Sequence, residues 1–353
     1  MSRLIDISLE NIRCLPALEI ATDNCDWVVL AGANGSGKTS IMEAIYCAAR
    51  GRSFRSTSLA EVIRAGETTA RVLLHSKNSR NHVLGMELQA RQRAVHLDGV
   101  VANLTAIAQA VPVEYLGGET VRLVQSTPAT RRRFMDWTLF HVEPRFLSVW
   151  RYWYRAHRQR NALLKARATD AALAPWTEAV ILYGEEISRL RSHLIKCLDS
   201  KWVELERPLF LRGQRVRFRR GWREASLREA LQQSAGRETQ VGRSVAGPQH
   251  DDWELEGGGL PASSLSRGQA KLASLMIYRC QAALMQIAER HSVLLVDDIA
   301  ADLDLPALRA TLALWVSAGL QIWLSVGEED IGVELPGKTK RFHVKQGTLV
   351  HAG

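Results

Sequence analysis

The sequence predicts an α/β fold in which a mixed sheet and an antiparallel β lobe are interrupted by a mainly helical second lobe. A short apolar strand, "DWVVLAG", runs into a glycine-rich turn and a helix, and residues 70–101 then show the period of two that half-buried strands have. Good helix formers with a 3.6-residue period fill residues 128–211. Late in the chain, the continuous apolar run "SVLLVDD" indicates a strand buried on both faces, as in a parallel sheet.

The elements before residue 115 follow from local patterns. "LIDISLE" alternates apolar and polar residues, which predicts a half-buried strand. The helix "TSIMEAIYCAAR" is expected to end at Gly51. Three antiparallel strands are expected in "ARVLLHS", "HVLGMELQ" and "AVHLDG" because polar turns separate them.

In the rest of the chain, we expect helix boundaries at Pro144 and Pro175 and a basic strand in "QRVRFRRGW". "SRGQAKLASLMIYRCQAALMQIAER" is typical of an amphipathic helix, "LQIWLSV" of a second buried strand, and "RFHVKQGTLVHAG" of a hairpin. We therefore predict a first lobe built from residues 1–115 and 288–353, with residues 116–287 as the mainly helical second lobe.

Composition narrows the class of protein. The 353 residues contain no apolar run near the roughly 20 residues that a membrane span needs, and no secretory signal is visible, so a cytoplasmic protein is expected. The five cysteines have no metal or redox spacing and are interpreted as free thiols: Cys14, Cys25, Cys47, Cys197 and Cys280.

The formal net charge of +9 is concentrated in three arginine-rich stretches, residues 131–133, 151–167 and 212–223. Each stretch alone is equally compatible with the solvated face of a helix or strand. Three in one region of a basic protein favour a nucleic acid partner that is contacted through its phosphates.

The sequence between "DWVVL" and its helix matches the phosphate-binding loop G-x-x-x-x-G-K-[ST]. Its glycines let the backbone point successive N–H groups at phosphate oxygens, Lys38 supplies a charge to the β and γ phosphates, and the Thr39 hydroxyl binds magnesium. We therefore expect an ATP site that consists of Gly32, Ala33, Asn34, Gly35, Ser36, Gly37, Lys38, Thr39 and Ser40.

Two acids end the late apolar strand. Asp297 is predicted to bind the magnesium ion with Thr39, since such ligands emerge at the carboxyl ends of sheet strands. Asp298 is expected to face the attacking water. The alternative interpretation is a turn that caps a helix, which the phosphate-binding loop makes less attractive.

The segment "SLSRGQAKL" allows two interpretations. Ser266 and Gln269 form an S-x-x-Q capping box, which would only start a helix. The same helix N-terminus, with Gly268 leaving room, could bind a γ-phosphate. The order of phosphate loop, L-S-x-G-Q and hhhhDD is that of an ABC-type P-loop ATPase head, in which this signature, here residues 263–271, acts on ATP held by a second copy.

From end to end the chain resembles the RecF family of bacterial recombination-repair ATPases. The resemblance rests on "GANGSGKTSIMEAIY" followed by "GRSFRS", on "PATRRRFMDW", "GPQHDD" and "LSRGQAKL", and on "LLVDDIAADLD". It implies that Lys38, Asp298 and, in trans, Ser266 act in hydrolysis, and that Arg13 and Asp304 lie at the nucleotide or the dimer seam. It also implies an ATP-dependent homodimer on gapped or single-strand/double-strand junction DNA, and work with RecO, RecR and RecA.

Several positions depart from that family pattern. Asp298 is one methylene shorter than the glutamate of related ATPases, so turnover should be slow. Cys14 replaces an asparagine, and Gln249 replaces a histidine. In the region where transporters carry a switch histidine, this chain offers Ser325 and no histidine. No Gln-loop is identifiable. Two other hypotheses stay open: a nucleotide-regulated scaffold with little DNA affinity, and a small-molecule kinase, which would leave "LSRGQ" unexplained.

Overall fold

A computed structural model describes residues 3–77, 80–258, 261–298, 312, 315, 319–328 and 334–351. It separates into two compact units, residues 1–121 with 285–353 and residues 122–284. The division into an ATPase lobe and a mainly helical lobe, with boundaries near residues 116 and 287, stays a prediction.

The described elements are as follows. The strands are β1 (Arg3–Ile12), β2 (Leu15–Ala21), β3 (Trp27–Ala31), β4 (Thr69–Lys77), β5 (Asn81–Gln89), β6 (Arg93–Leu97), β7 (Val100–Val101), β8 (Val113–Leu116), β9 (Gln214–Arg219), β10 (Asp252–Gly257), β11 (Val293–Val296), β12 (Gln321–Val326), β13 (Thr339–Lys345) and β14 (Thr348–His351). The helices are α1 (Lys38–Arg50), α2 (Leu104–Ala110), α3 (Pro128–Val142), α4 (Phe146–Lys165), α5 (Asp170–Glu204), α6 (Leu227–Val241) and α7 (Arg267–Ile287).

The first unit contains two sheets of six described strands each. One is antiparallel, in the order β2-β1-β4-β5-β6-β7, and the other runs β14-β13-β3-β12-β11-β8. In the second sheet β13, β3, β12, β11 and β8 are parallel, and β14 forms the predicted hairpin with β13. Every residue of β3, β11 and β12 is buried, as the continuous apolar runs predict. The mixed α/β fold and its antiparallel lobe are confirmed.

Helix α1 is the central element of the first unit. All ten residues from Ser40 to Ala49 are buried, and the helix contacts strands of both sheets. It is buried on nearly every side, Glu43 included, because it lies inside one core shared by the two sheets. This burial fixes the position of its N-terminus at the carboxyl end of β3.

The second unit is mainly helical, with β9 and β10 as an antiparallel pair. The boundary predicted at Pro144 is confirmed, since α3 ends at Val142 and α4 begins at Phe146. The boundary predicted at Pro175 is wrong, because this residue lies inside α5. Thr169 caps that helix by accepting a hydrogen bond from the Ala172 N–H at 3.4 Å, so the proline falls near the start and removes a single intrahelical bond.

Two further expectations concern the whole chain. All five cysteines are free thiols in the structure, as predicted. Among the described residues no helix combines the length and the apolar character required to cross a bilayer.

Candidate nucleotide-binding site

The glycine-rich loop connects β3 to α1 in a shape that other residues could not adopt. Gly32 and Gly37 have φ angles of 154° and 120°. A Cβ atom on Gly32 would lie 2.4 Å from the Val344 carbonyl oxygen, and one on Gly37 would lie 2.9 Å from a methyl group of Leu15. The loop therefore depends on glycine both for its backbone angles and for the space around it.

The N-terminus of α1 faces a ligand site without competition from side chains. Gly37 provides no capping side chain, and the first turn contains no acid. The Lys38 ammonium donates to the carbonyl oxygens of Gly32 and Ala33 at 2.6 and 2.9 Å. Burial lowers the pKa of Lys38, and the carboxylates of Asp297 and Asp298 oppose that shift. The positive helix end and this ammonium together favour an anion.

A cavity of about 710 Å³ opens at this loop. Its volume lies within the range of about 300–1,000 Å³ that small-molecule and cofactor sites occupy. Its walls are formed by Arg13, Cys14, Asn34, Gly35, Ser36, Gly37, Lys38, Thr39, Ser40, Arg55, Glu61, Ile63, Ala65, Asp297, Asp298, Ser325, Val326 and Gly327.

The Asp297 carboxylate lies at the centre of the polar wall, because the parallel strands β8, β11 and β12 end at the same edge of the sheet. Its Oδ1 accepts hydrogen bonds from the Thr39 hydroxyl at 3.2 Å and the Ser325 hydroxyl at 2.5 Å. Its Oδ2 accepts one from the Tyr115 hydroxyl at 3.2 Å. The residues predicted to share a metal ion, Thr39 and Asp297, are thus in direct contact.

Asp298 follows in a different conformation. Its φ angle of 54° is left-handed, which aspartate tolerates, and its backbone N–H donates to the Ser325 hydroxyl at 2.9 Å. Ser325 thereby contacts both acids. It lies in the region where transporters carry a switch histidine. Its role as a bridge between the acids has no signal in the sequence.

These oxygen donors fit a magnesium ion with a bound triphosphate. A hydroxyl and a carboxylate in contact are the hard ligands that Mg²⁺ prefers, and Mg²⁺ usually binds one or two protein carboxylates together with phosphates and water. Within the described ranges, no group of three or more His, Cys, Asp or Glu residues could hold a metal alone. Phosphate oxygens and water would supply the remaining ligands of such an ion.

Tyr115 is a site residue that sequence reasoning missed. Its ring stacks on Phe54 with 3.5 Å between centroids and 8° between planes, and its hydroxyl reaches Asp297. Burial and the neighbouring Asp297 carboxylate raise the pKa of Tyr115, so it stays a hydrogen-bond donor. It lies in "EYLGGETVRL", and Phe54 lies in "GRSFRS".

Arg13 borders the cavity but is held by another residue. Its guanidinium makes two hydrogen bonds to the Glu43 carboxylate, at 2.8 and 3.0 Å, and one to the Ser56 hydroxyl at 2.6 Å. Glu43 is fully buried in α1, and Arg55 approaches it at 3.6 Å. The buried carboxylate therefore holds two cations at the rim of the cavity, which the sequence does not reveal. A nucleotide contact by Arg13 stays a prediction.

The signature segment lies in the second unit, where it starts α7. The Ser266 N–H donates to the Gln269 side-chain oxygen at 2.9 Å, and the Gln269 N–H donates to the Ser266 hydroxyl at 3.2 Å. This reciprocal pair is the predicted capping box, with Gly268 in the first turn. Ser266 is exposed. Asp304 lies outside the described residues.

Several arginines of the arginine-rich stretches form ion pairs with carboxylates of the same chain. Arg131 binds the Asp252 carboxylate through two nitrogens, and Arg160 is buried against Glu238 at 2.6 Å. Arg215 binds Asp199 at 2.6 Å. The number of arginines in these stretches therefore overstates the charge that a polyanion could meet.

Comparison with known proteins shows the family of this chain. The RecF/RecN/SMC N-terminal domain family matches residues 3–319. Proteins called DNA replication and repair protein RecF from Pseudomonas putida and Pseudomonas fluorescens are 34% and 35% identical, over 91% of this chain and 91% of their own length.

Solved structures agree in fold. One described as the recombination mediator protein RecF with ATP, in the RecFOR pathway, has a TM-score of 0.83 at 18% identity and covers 100% of this chain and 98% of its own. An Smc head domain from Pyrococcus furiosus, solved with the C-terminal domain of ScpA, has a TM-score of 0.60 at 15% identity and covers 99% and 95%. The fold is that of an ABC-type ATPase head, and the chain belongs to the RecF family.

Proposed function

We propose that this chain is an ATP-controlled DNA-binding protein of DNA replication and repair. The observation that carries the proposal is the contact of Thr39 with Asp297 at 3.2 Å beside an uncapped helix N-terminus and Lys38. Relatives named as DNA replication and repair proteins supply the process in which such a site would act.

In this proposal the phosphate-binding loop and the N-terminus of α1 hold ATP, and Lys38 turns from its carbonyl partners toward the β and γ phosphates. Thr39 and Asp297 hold magnesium, which neutralises phosphate charge when bound. Asp298 orients the attacking water. Its short side chain places the carboxylate farther from that water than a glutamate would, so hydrolysis is slow and acts as a timer.

ATP also joins two copies of the chain. Ser266, Gly268 and Gln269 of one copy present a helix N-terminus to the γ-phosphate held by the other, and Asp304 lies at the seam. Only the γ-phosphate can bridge the two surfaces, so hydrolysis releases the pair.

The paired heads grip gapped DNA or a junction of single and double strands. Arginines bind phosphates without reading bases, so the affinity should fall steeply with salt concentration. Membership of the RecF family supports work with RecO and RecR in loading RecA.

The test is the mass of the purified chain with ATP and Mg²⁺, with ADP, and without nucleotide, each with and without gapped duplex. We expect a dimer only with ATP, and a larger share of dimer when DNA is added. A monomer under every condition, or equal dimer with ADP and ATP, would contradict the proposal.

A second candidate function is a nucleotide-regulated scaffold that docks repair partners. It is favoured by the internal pairing of Arg131, Arg160 and Arg215 with carboxylates. DNA binding measured without any partner protein separates the two, because the scaffold would bind DNA weakly whether or not ATP is present.

A further inference from the structure

Strands β11 and β12 bring Asp297 and Ser325 side by side. The register pairs Val296 of β11 with Leu324 of β12, so the two residues that follow lie at the same edge of the parallel sheet. There the Ser325 hydroxyl donates to Asp297 Oδ1 at 2.5 Å. Ser325 is 2% exposed and lines the nucleotide cavity, so its hydroxyl is held at the cavity wall by its neighbours.

The oxygen of the same hydroxyl holds the backbone of the next acid. The Asp298 N–H donates to Ser325 Oγ at 2.9 Å, and Asp298 has a φ angle of 54°. This left-handed conformation is disfavoured by roughly 5- to 30-fold for most residues, and by less for aspartate. One hydrogen bond of average strength favours a state by about fivefold. The bond to Ser325 is therefore comparable with the cost of the conformation that it holds.

The left-handed conformation changes where Asp298 points. Successive side chains of a strand alternate between its faces, so in a continued strand Asp298 would point away from the side that Asp297 faces. Instead, both acids line the nucleotide cavity, and both carboxylates act to raise the pKa of Lys38. A contact that holds the Asp298 backbone therefore helps to keep two acids at one site.

We propose that Ser325 is a positioning residue for ATP hydrolysis, because it ties Asp298 to Asp297 and so directs the Asp298 carboxylate into the cavity. The inference rests on the proposed function, in which Asp297 holds magnesium with Thr39 and Asp298 orients the attacking water. Thr39 donates to the same Asp297 oxygen, so contacts run from the phosphate-binding loop to the Asp298 backbone. A serine hydroxyl is uncharged, and its role here is the geometry of the site.

The hydrogen bond itself is tested without nucleotide. Exchange of the Asp298 amide hydrogen, measured by NMR, should be about fivefold faster in Ser325→Ala than in wild type. Ser76→Ala is the matched control, because Ser76 is also a buried strand serine, and its hydroxyl has no hydrogen-bond partner within the described part of the chain. An unchanged rate in Ser325→Ala, or an equal increase in both variants, would overturn the proposal.

Hydrolysis is then measured with ATP, Mg²⁺ and gapped duplex. Ser325→Ala should lower kcat about fivefold and leave KM for ATP within about twofold of wild type, since the phosphate-binding loop is unchanged. Ser325→Cys keeps a side chain of similar size with only a weak donor and acceptor, and should behave as Ser325→Ala does. Ser76→Ala should keep the wild-type kcat. Recovery of kcat in Ser325→Cys would indicate packing and overturn the proposal, as would a change in KM alone.

The outcomes for the wild-type chain separate this inference from the proposed function. A chain that does not bind ATP would overturn both. A chain that binds ATP without hydrolysing it would overturn the inference and leave nucleotide binding in place. Hydrolysis by wild type that Ser325→Ala matches in kcat would overturn the inference alone.

Discussion

Two groups of charged residues, one in each unit of this chain, are held in different ways. In the first unit, Lys38 is satisfied by backbone carbonyl oxygens, and Asp297 is satisfied by three hydroxyl groups. In the second unit, Arg191 is buried between the carboxylates of Asp136 and Asp251. One set of charges is held by neutral partners, and the other is cancelled by opposite charge.

This difference distinguishes charges that can bind a ligand from charges that only stabilise the fold. A charge that only neutral groups hold can still attract an ion or a phosphate, whereas a buried, paired charge is part of the packing and cannot lose its partner cheaply. The nature of the partner, rather than the number of charged residues in a stretch, therefore shows which arginines and acids are available to a ligand.

The largest expected effect would come from breaking the buried pairs of the second unit. Arg191 also donates to the Pro248 carbonyl oxygen at 2.6 Å, so Arg191→Met leaves two carboxylates and a carbonyl without this partner. We expect the free energy of unfolding to fall by about 3–5 kcal/mol. Urea unfolding without nucleotide measures it.

Arg189→Ala is the matched control for that variant. Arg189 lies in the same helix and binds Glu186 at 2.6 Å, but it is exposed to solvent. The loss should stay below about 1 kcal/mol. Similar losses in both variants would remove the distinction between the buried and the exposed pair.

In the first unit, Lys38→Ala should affect ligand binding far more than stability. A hydrogen bond from a charged group contributes about 1.5–3 kcal/mol, so ATP affinity should fall about 10- to 100-fold. The free energy of unfolding without nucleotide should change by less than about 1 kcal/mol, because the burial that disfavours the ammonium in the folded chain offsets its hydrogen bonds to carbonyl oxygens. Lys345→Ala removes the same charge from an exposed position in β13 and should change neither quantity. A strongly destabilised Lys38 variant would break the comparison between the units.

A smaller effect is expected from pH. Burial, with help from nearby Arg160 and His250, lowers the pKa of His157 to about 4. Between pH of about 6.5 and 4 the unfolded chain therefore binds a proton that the folded chain does not, and stability is lost as the pH falls through this window. In His157→Gln, the loss of unfolding free energy between pH 7 and 4.5 should be about 1–2 kcal/mol smaller than in wild type. A loss of unfolding free energy in His157→Gln as large as in wild type would contradict the prediction.

The smallest effect concerns Tyr115. Tyr115→Phe keeps the stack on Phe54 and removes only the hydrogen bond to Asp297. We expect ATP affinity in the presence of Mg²⁺ to fall about 2- to 10-fold, with little change when Mg²⁺ is absent. Tyr46→Phe, in the same aromatic cluster, is the control. Equal losses with and without Mg²⁺ would show that Tyr115 acts on packing and not on the metal ligand.

The sequence predicts a feature when the residues that form it are close together along the chain. The phosphate-binding loop, the capping box of Ser266 and Gln269, and the buried strands are local, so their spacing predicts them. The Tyr115–Asp297 contact joins residues 182 apart, and Arg13–Glu43 joins residues 30 apart, so only the fold reveals them. The boundary predicted at Pro175 is wrong because Thr169, six residues earlier, caps the helix and so places the proline in its second turn.

The central claim is that a triphosphate held by one copy is closed over by the capped helix of another, and Ser266→Ala tests it most directly. Ser226→Ala is the matched control, since Ser226 caps α6 by accepting a bond from the Glu229 N–H at 3.2 Å, the same length as in the Ser266 cap. Both variants should lose about 1 kcal/mol of stability and still bind ATP. Measured by mass with ATP and Mg²⁺, Ser266→Ala should remain a monomer while Ser226→Ala forms the dimer. A normal dimer in Ser266→Ala, or an equal loss in both variants, would contradict the account.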